Sequence, residues 1–142
     1  MKNNISKKDL IPVIKHLKKK DPMLTQHKYV RQFEKNWSKW LGVKHSVFVN
    51  SGSSANFITF KILREITKKN EVILSPINWV SDISAVIYAG FKPVFVDINV
   101  KNLSADVEKI INKISKNTAA VLMTHILGFN GLNQKLLNTL KR

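Results

Sequence analysis

The stretch Val47-Phe48-Val49-Asn50-Ser51-Gly52-Ser53-Ser54-Ala55-Asn56 holds the residue types and order that can do chemistry most directly. An apolar, β-branched run enters a turn of serine and glycine, and the turn opens a helix. Such a turn aims unbonded backbone N–H groups and the positive end of the helix dipole at one point. That makes an anion site suited to phosphate, to which Ser53 and Ser54 can add hydroxyl donors. Read in isolation, the same residues serve equally well as an ordinary helix cap, because Ser and Gly are favoured there.

Two later loops add to the first. Trp79 follows the next apolar run, Glu71 to Leu74, where an indole can stack on a planar aromatic ligand or simply pack in the core. His125 follows a further run, Ala119 to Thr124, and Gly128 comes soon after it. An anion cradle, a stacking face and a hydrogen-bonding ring at neighbouring strand ends form a more specific set than any one of them. Asp97, closing Pro93-Val94-Phe95-Val96, reads as a strand-end turn residue. No metal ligand set is predicted.

The elements that must position these loops follow from hydrophobic period. Ser6 with Asp9 resembles a capping box, and Leu10, Val13, Ile14 and Leu17 recur at helical spacing up to Lys20, before Asp21-Pro22 breaks the pattern. A second helix is predicted over 28–41, with Val30, Phe33, Trp37, Trp40 and Leu41 on one stripe and Gly42 as its stop. Its tryptophans are expected in the core or at a dimer interface. From His45 the pattern alternates. Strands are predicted over 46–49, 71–74, 93–96 and 119–124. Helices are predicted over 54–67 (Ile58, Ile62, Leu63, Ile66), 79–89 (Val80, Ile83, Ile87) and 105–115 (Val107, Ile110, Ile111, Ile114), with a short last one over 133–142. Repeated strand-helix-strand units imply right-handed crossovers and a mostly parallel sheet with flanking helices, which binds ligands beyond the carboxyl ends of its strands.

Composition sets the outer bounds. A chain of 142 residues with 44% hydrophobic content can bury a core as one domain. No apolar run approaches the roughly 20 residues of a membrane span, and the first residues lack a secretory signal, so a cytoplasmic, soluble protein is expected. With no cysteine, disulfides, thiolate metal sites and thiol nucleophiles are excluded. A net charge of +15 attracts phosphate-rich partners. The lysines are nevertheless scattered, and the tight clusters, Lys18 to Lys20 and Lys68-Lys69, sit at predicted helix ends, where cations complement the dipole. A nucleic-acid-binding module is therefore the less favoured reading. There is no internal repeat, low-complexity segment or linker.

Three longer runs carry a resemblance: VRQFEKNWSKWLGVKHSVFVNSGSSAN, then NEVILSPINWVSDISAVIYAGFKPVFVDINVKNLSAD, then AAVLMTHILG. In order and spacing this sequence resembles the DegT/DnrJ/EryC1/StrS family of sugar aminotransferases over nearly the whole chain. The resemblance implies the fold type I architecture of pyridoxal phosphate enzymes, as a homodimer with active sites at the subunit interface. It implies a helical segment over 1–44 belonging to the same domain and the first part of the cofactor-binding α/β domain over 45–142. It assigns Gly52, Ser53 and Ser54 to the cofactor's phosphate, Trp79 to its ring face and His125 to the neighbourhood of the ring hydroxyl. Asp97 matches a position of structural character, and Asn56 fits a variant that resembles the family's keto-sugar dehydratases as well as its aminotransferases.

In that family an aspartate pairs with the pyridine nitrogen and a lysine forms the internal Schiff base, both downstream of the histidine-glycine segment. No lysine here sits in a matching context, so no catalytic residue is assigned. The expectation is a domain incomplete at its carboxyl end: a fragment, a truncated product or half of a split enzyme, inactive alone. The complete enzyme is expected to move an amino group from an amino acid to a nucleotide-linked keto sugar in polysaccharide or lipopolysaccharide biosynthesis. The alternative is a keto-sugar 3-dehydratase of the same family, in which histidine replaces the lysine.

Overall fold

The computed structural model describes residues 4–141, which divide into two compact units, one up to Phe48 and one from Val49. The first unit holds two helices. In α1 (Lys7–Leu17) the Asp9 carboxylate accepts the Ser6 backbone N–H at 2.8 Å and the Ser6 hydroxyl at 2.7 Å, which anchors the helix start. These bonds, the side-chain one first, hold the Asp9 carboxyl below the usual aspartate value. The helix ends at Leu17, short of the expected Lys20, and the His16 ring Nε2 meets the Met23 carbonyl at 2.9 Å across the turn that follows. No residue of α1 is buried.

Helix α2 (Lys28–Leu41) has the expected bounds, and Gly42 closes it with φ 72°, a left-handed conformation that glycine adopts without a Cβ penalty. Gly42 and Val43 donate to the Lys39 and Ser38 carbonyls at 3.3 and 3.0 Å. Phe33, Trp37 and Trp40 stack into a ridge, with centroids 5.8 and 4.8 Å apart. A core role for these tryptophans is not observed. Trp40 is 73% exposed, and Ser38 is the buried residue of the helix among those described.

The strand expected over 46–49 does not form. A strand needs a backbone partner; instead the Phe48 N–H donates to the Glu34 carboxylate at 2.9 Å, and Val47 and Phe48 are exposed.

The second unit is built on three parallel strands, β1 (Glu71–Leu74), β2 (Lys92–Phe95) and β3 (Thr118–Val121), in the order β2-β1-β3. Val72 pairs with Pro93 and Ile73 with Val121. Side chains alternate along a strand, and β1 carries this into two cores. Val72 packs with Phe60, Ala85, Val86, Ala89 and Phe91, supplied by α3 (Gly52–Ile66) and α4 (Val80–Tyr88) and the turn after it. Ile73 packs with Val96, Ala105, Ile110 and Leu136, drawn partly from α5 (Val107–Lys113) and α6 (Gln134–Leu140). The connection β1-α4-β2 steps one way across the sheet and β2-α5-β3 steps back past β1. Connections of one hand that run in opposite directions place their helices on opposite faces, and the two cores show that division. Each fully buried Val or Ile contributes about 1.5–3 kcal/mol.

Two expected stripes are only partly covered, with Leu63 and Ile83 partly buried and the rest exposed. In α3 the core side is Phe60 with Leu63, while Ile58, Ile62 and Ile66 are exposed; in α4 it is Asp82, Ala85 and Val86, while Val80 and Ile87 are exposed. Both helices are apolar on more than one side, and the small side chains of Ala85 and Ala89 sit in the first core. A second required glycine is Gly131, where a Cβ would lie 2.3 Å from the Ser104 Cβ. It lets the segment before α6 press against the loop between β2 and α5.

Candidate functional site

Order β2-β1-β3 puts the switch in winding direction between β1 and β3, where open α/β sheets form a crevice beyond the strand ends. The loop from β1 into α4 and the loop leaving β3 flank it. They are joined by a hydrogen bond: the Thr124 hydroxyl donates to Asn78 Oδ1 at 2.8 Å, and the same oxygen accepts the Trp79 N–H at 2.9 Å. Thr124 Oγ1 also lies 3.4 Å from Asp82 Oδ2. Asp82, in the first turn of α4 and buried, accepts the Asn56 side-chain amide at 2.6 Å through its other oxygen. A polar chain thus runs from the first turns of α3, through α4, to the end of β3.

The turn into α3 is ordered by its own side chains. Ser51 is the N-cap, its hydroxyl oxygen accepting the Ser54 N–H at 3.1 Å, and the Ser54 hydroxyl donates to Asn50 Oδ1 at 2.7 Å. Ser54 is therefore spent largely on shaping the turn. The N–H groups of Gly52 and Ser53 belong to the first helical turn, which has no intrahelical acceptor for them. A Cβ built on Gly52 would meet nothing within 4 Å, so the space over the turn is open. Ser53 and Ser54 line a cavity of about 460 Å³ together with Phe57, Val80, Ser81 and Tyr88.

Trp79 is the N-cap residue of α4 and 74% exposed, so its indole is not a core group. His125 follows Thr124, and its Nδ1 accepts the Gly131 N–H at 3.3 Å, which leaves Nε2 as the protonated donor of the neutral ring. Two residues on, Leu127 has φ 54° and Gly128 φ 84°. The structure thus joins Ser53 and Ser54 to one cavity beside Val80, and ties the neighbours of Trp79 and His125 to each other. Neither Trp79 nor His125 lines that cavity, and neither does Gly52. Asp97 stands apart, accepting the Ile98 N–H at 2.8 Å and the Lys109 ammonium at 3.0 Å, so it is a turn residue; the Lys109 bond is the main reason its carboxyl lies below the usual aspartate value.

The sequence model of the DegT/DnrJ/EryC1/StrS aminotransferase family matches residues 4–135. The chain belongs to this family. Among other members, GDP-perosamine synthase of Vibrio cholerae is 35% identical over 101 residues, 71% of this chain and 27% of the relative. GDP-4-keto-6-deoxy-D-mannose 3-dehydratase of Escherichia coli O55:H7 is 31% identical over 111 residues, 75% of this chain and 29% of the relative. The solved Escherichia coli GDP-4-keto-6-deoxy-D-mannose-3-dehydratase with bound hydrated PLP superposes with a TM-score of 0.83 at 28% identity, over 96% of this chain and 36% of that one. The fold is that of the fold type I pyridoxal phosphate enzymes. The chain spans between a quarter and a third of the length of these curated DegT/DnrJ/EryC1/StrS relatives.

Sequence reasoning did not single out Asn78, Asp82 and Thr124. Asp82 carries the faint signal of an acid in a first helical turn, but its Asn56 partner is 26 residues away.

Proposed function

We propose that this chain forms the phosphate-binding and ring-facing part of the pyridoxal phosphate site of an aminotransferase acting on nucleotide-linked keto sugars. The family match and the open, unsatisfied N–H groups over the α3 turn support the cofactor. Gly52 and Ser53 would grip its phosphate, with Ser54 bracing the cradle; Trp79 would cover the ring, and the His125 Nε2–H would donate towards the ring hydroxyl. A cofactor held in this way would supply the electron sink, while the protein would supply orientation and electrostatics. The Asn78–Thr124 bond holds the Trp79 loop against the His125 loop, and Asp82 fixes Asn56 behind them. The observation that supports the reading is the open helix start of α3, linked through Asn56 and Asp82 to the joined loops that carry Trp79 and His125.

Pyridoxamine 5′-phosphate and pyridoxamine test it on the full chain, because neither forms imines with the abundant lysines. Tryptophan fluorescence should report saturable binding of the phosphate ester at least tenfold tighter than of pyridoxamine. Ser53→Ala should weaken it about tenfold, and Trp79→Ala should remove most of the quenching. Equal affinity for the two compounds would sink the proposal. Turnover is expected to need groups outside these residues: borohydride reduction with pyridoxal phosphate should label lysines diffusely, and stoichiometric labelling of one lysine would overturn that.

The dehydratase relative supports a second reading, removal of a sugar hydroxyl on the same cofactor. The sugar product of the complete enzyme separates them by mass, since transfer replaces the keto oxygen with an amino group and dehydration removes a hydroxyl.

A further inference from the structure

The first unit carries a cavity of about 450 Å³ along α2 and the turn after it, lined by Arg31, Lys35, Lys39, Lys44 and, deeper, Ser38 and Ser46. At about 100° per residue, Arg31, Lys35 and Lys39 fall within roughly 80° of one another on the helix, with Phe33, Trp37 and Trp40 on the far side. None of the four cations has an ion-pair partner among the described residues, where ion pairs are formed by Lys109 with Asp97 and Lys135 with Glu108. The one acid in the wall, Glu34, is held by the Phe48 N–H. On the floor the Ser38 hydroxyl donates to Ser46 Oγ at 2.9 Å, which leaves the Ser46 proton free to donate. Ser38 is itself 8% exposed, so this floor is fixed rather than mobile surface.

We propose that this cavity is a binding site for a compact diphosphate group, free or as the diphosphate of a nucleotide. Its four cations outnumber the one carboxylate of Glu34 and stand over a serine pair, on a little over two turns of helix and the adjoining turn, from which their long side chains can converge on two adjacent phosphates. No Phe, Tyr or Trp lines it, and its one ring is that of His45. A single imidazole is no platform for the successive bases of a strand, so the phosphate groups carry the binding. The proposal rests on residues of the first unit alone and does not depend on the cofactor reading.

Titration of the full chain with inorganic pyrophosphate and with GDP, by calorimetry and by amide NMR near 0.15 M salt, tests the proposal. The expected result is one site per chain, affinities for the two ligands within about threefold, and moving amide signals at Lys44, His45 and Ser46. The double variant Lys35→Ala/Lys39→Ala should weaken binding at least tenfold. Lys68→Ala/Lys69→Ala, which removes the same charge elsewhere, should change it less than twofold. Equal weakening by both double variants overturns the site in favour of diffuse charge. Shifts confined to residues 52–55 overturn it in favour of the α3 turn, and failure of GDP where pyrophosphate binds overturns the nucleotide assignment. Displacement of pyrophosphate by duplex DNA at a lower phosphate concentration would make the surface a nucleic-acid face instead.

Discussion

The two units use apolar residues in opposite ways. In the second, β1 lies between two cores, and Val72, Ile73 and Leu74 are all at 0% exposure. In the first, α1 buries nothing and α2 buries a serine, although both carry regular apolar stripes. A stripe at helical period states which side of a helix is apolar; whether that side is covered depends on another surface being present. The sheet offers two such surfaces, and the helices of the second unit take them.

Core truncation should show the largest contrast. Ile73→Ala removes a fully buried side chain from the second core and should cost about 3–4 kcal/mol, whereas Val13→Ala in α1 should stay within about 0.5 kcal/mol. Urea unfolding followed by circular dichroism measures both, and comparable losses would break the contrast. Gly131→Ala should follow, because its Cβ would meet Ser104 at 2.3 Å; about 1–3 kcal/mol is expected from overpacking. Gly52→Ala, where a Cβ meets nothing within 4 Å, should be far milder, which a thermal melt would check.

Acid should act on both units through different partners. Asp9 is held low chiefly by Ser6 and Asp97 chiefly by Lys109. A depressed folded-state pKa gives stability that is complete above the unfolded value, near 4, and lost as pH falls through the folded value. Below about pH 4, therefore, both anchors should weaken. High salt should diminish the Asp97 contribution, which rests on an exposed ion pair, and leave that of Asp9 nearly unchanged. Chemical shifts of residues 6–9 and 97–109 against pH, at low and high salt, separate the two. The smallest effect is expected at Leu127, whose φ of 54° costs an L side chain roughly 1 kcal/mol; Leu127→Asn should recover part of that in a melting experiment.

Much of this was legible in the sequence. The bounds of α2 and β1 follow from period and composition, and Gly42 adopts the left-handed conformation its position implies. Helices α3 and α4 are apolar on more than one side, so period names their apolar residues but cannot choose which of them the core covers. The run at 46–49 has strand composition without a strand's partner, and composition does not count partners. At the candidate site, the residues carrying local motifs were visible, namely the serine-glycine turn, Trp79 and His125. The bonds that set them, Asn56 with Asp82 and Asn78 with Thr124, span 26 and 46 residues and leave no trace in spacing.

The register of β2 has a consequence for lateral growth of the sheet. The Lys92 N–H points inward, donating to the Asn70 carbonyl at 2.7 Å, so the next residue, Pro93, faces outward with no donor to offer. A neighbouring chain would find a broken ladder on that flank. On the opposite flank, β3 reads Thr-Ala-Ala-Val, and every one of its amides is intact. The two flanks thus differ in what they can offer a further strand: one lacks a donor at Pro93, and the other has no proline.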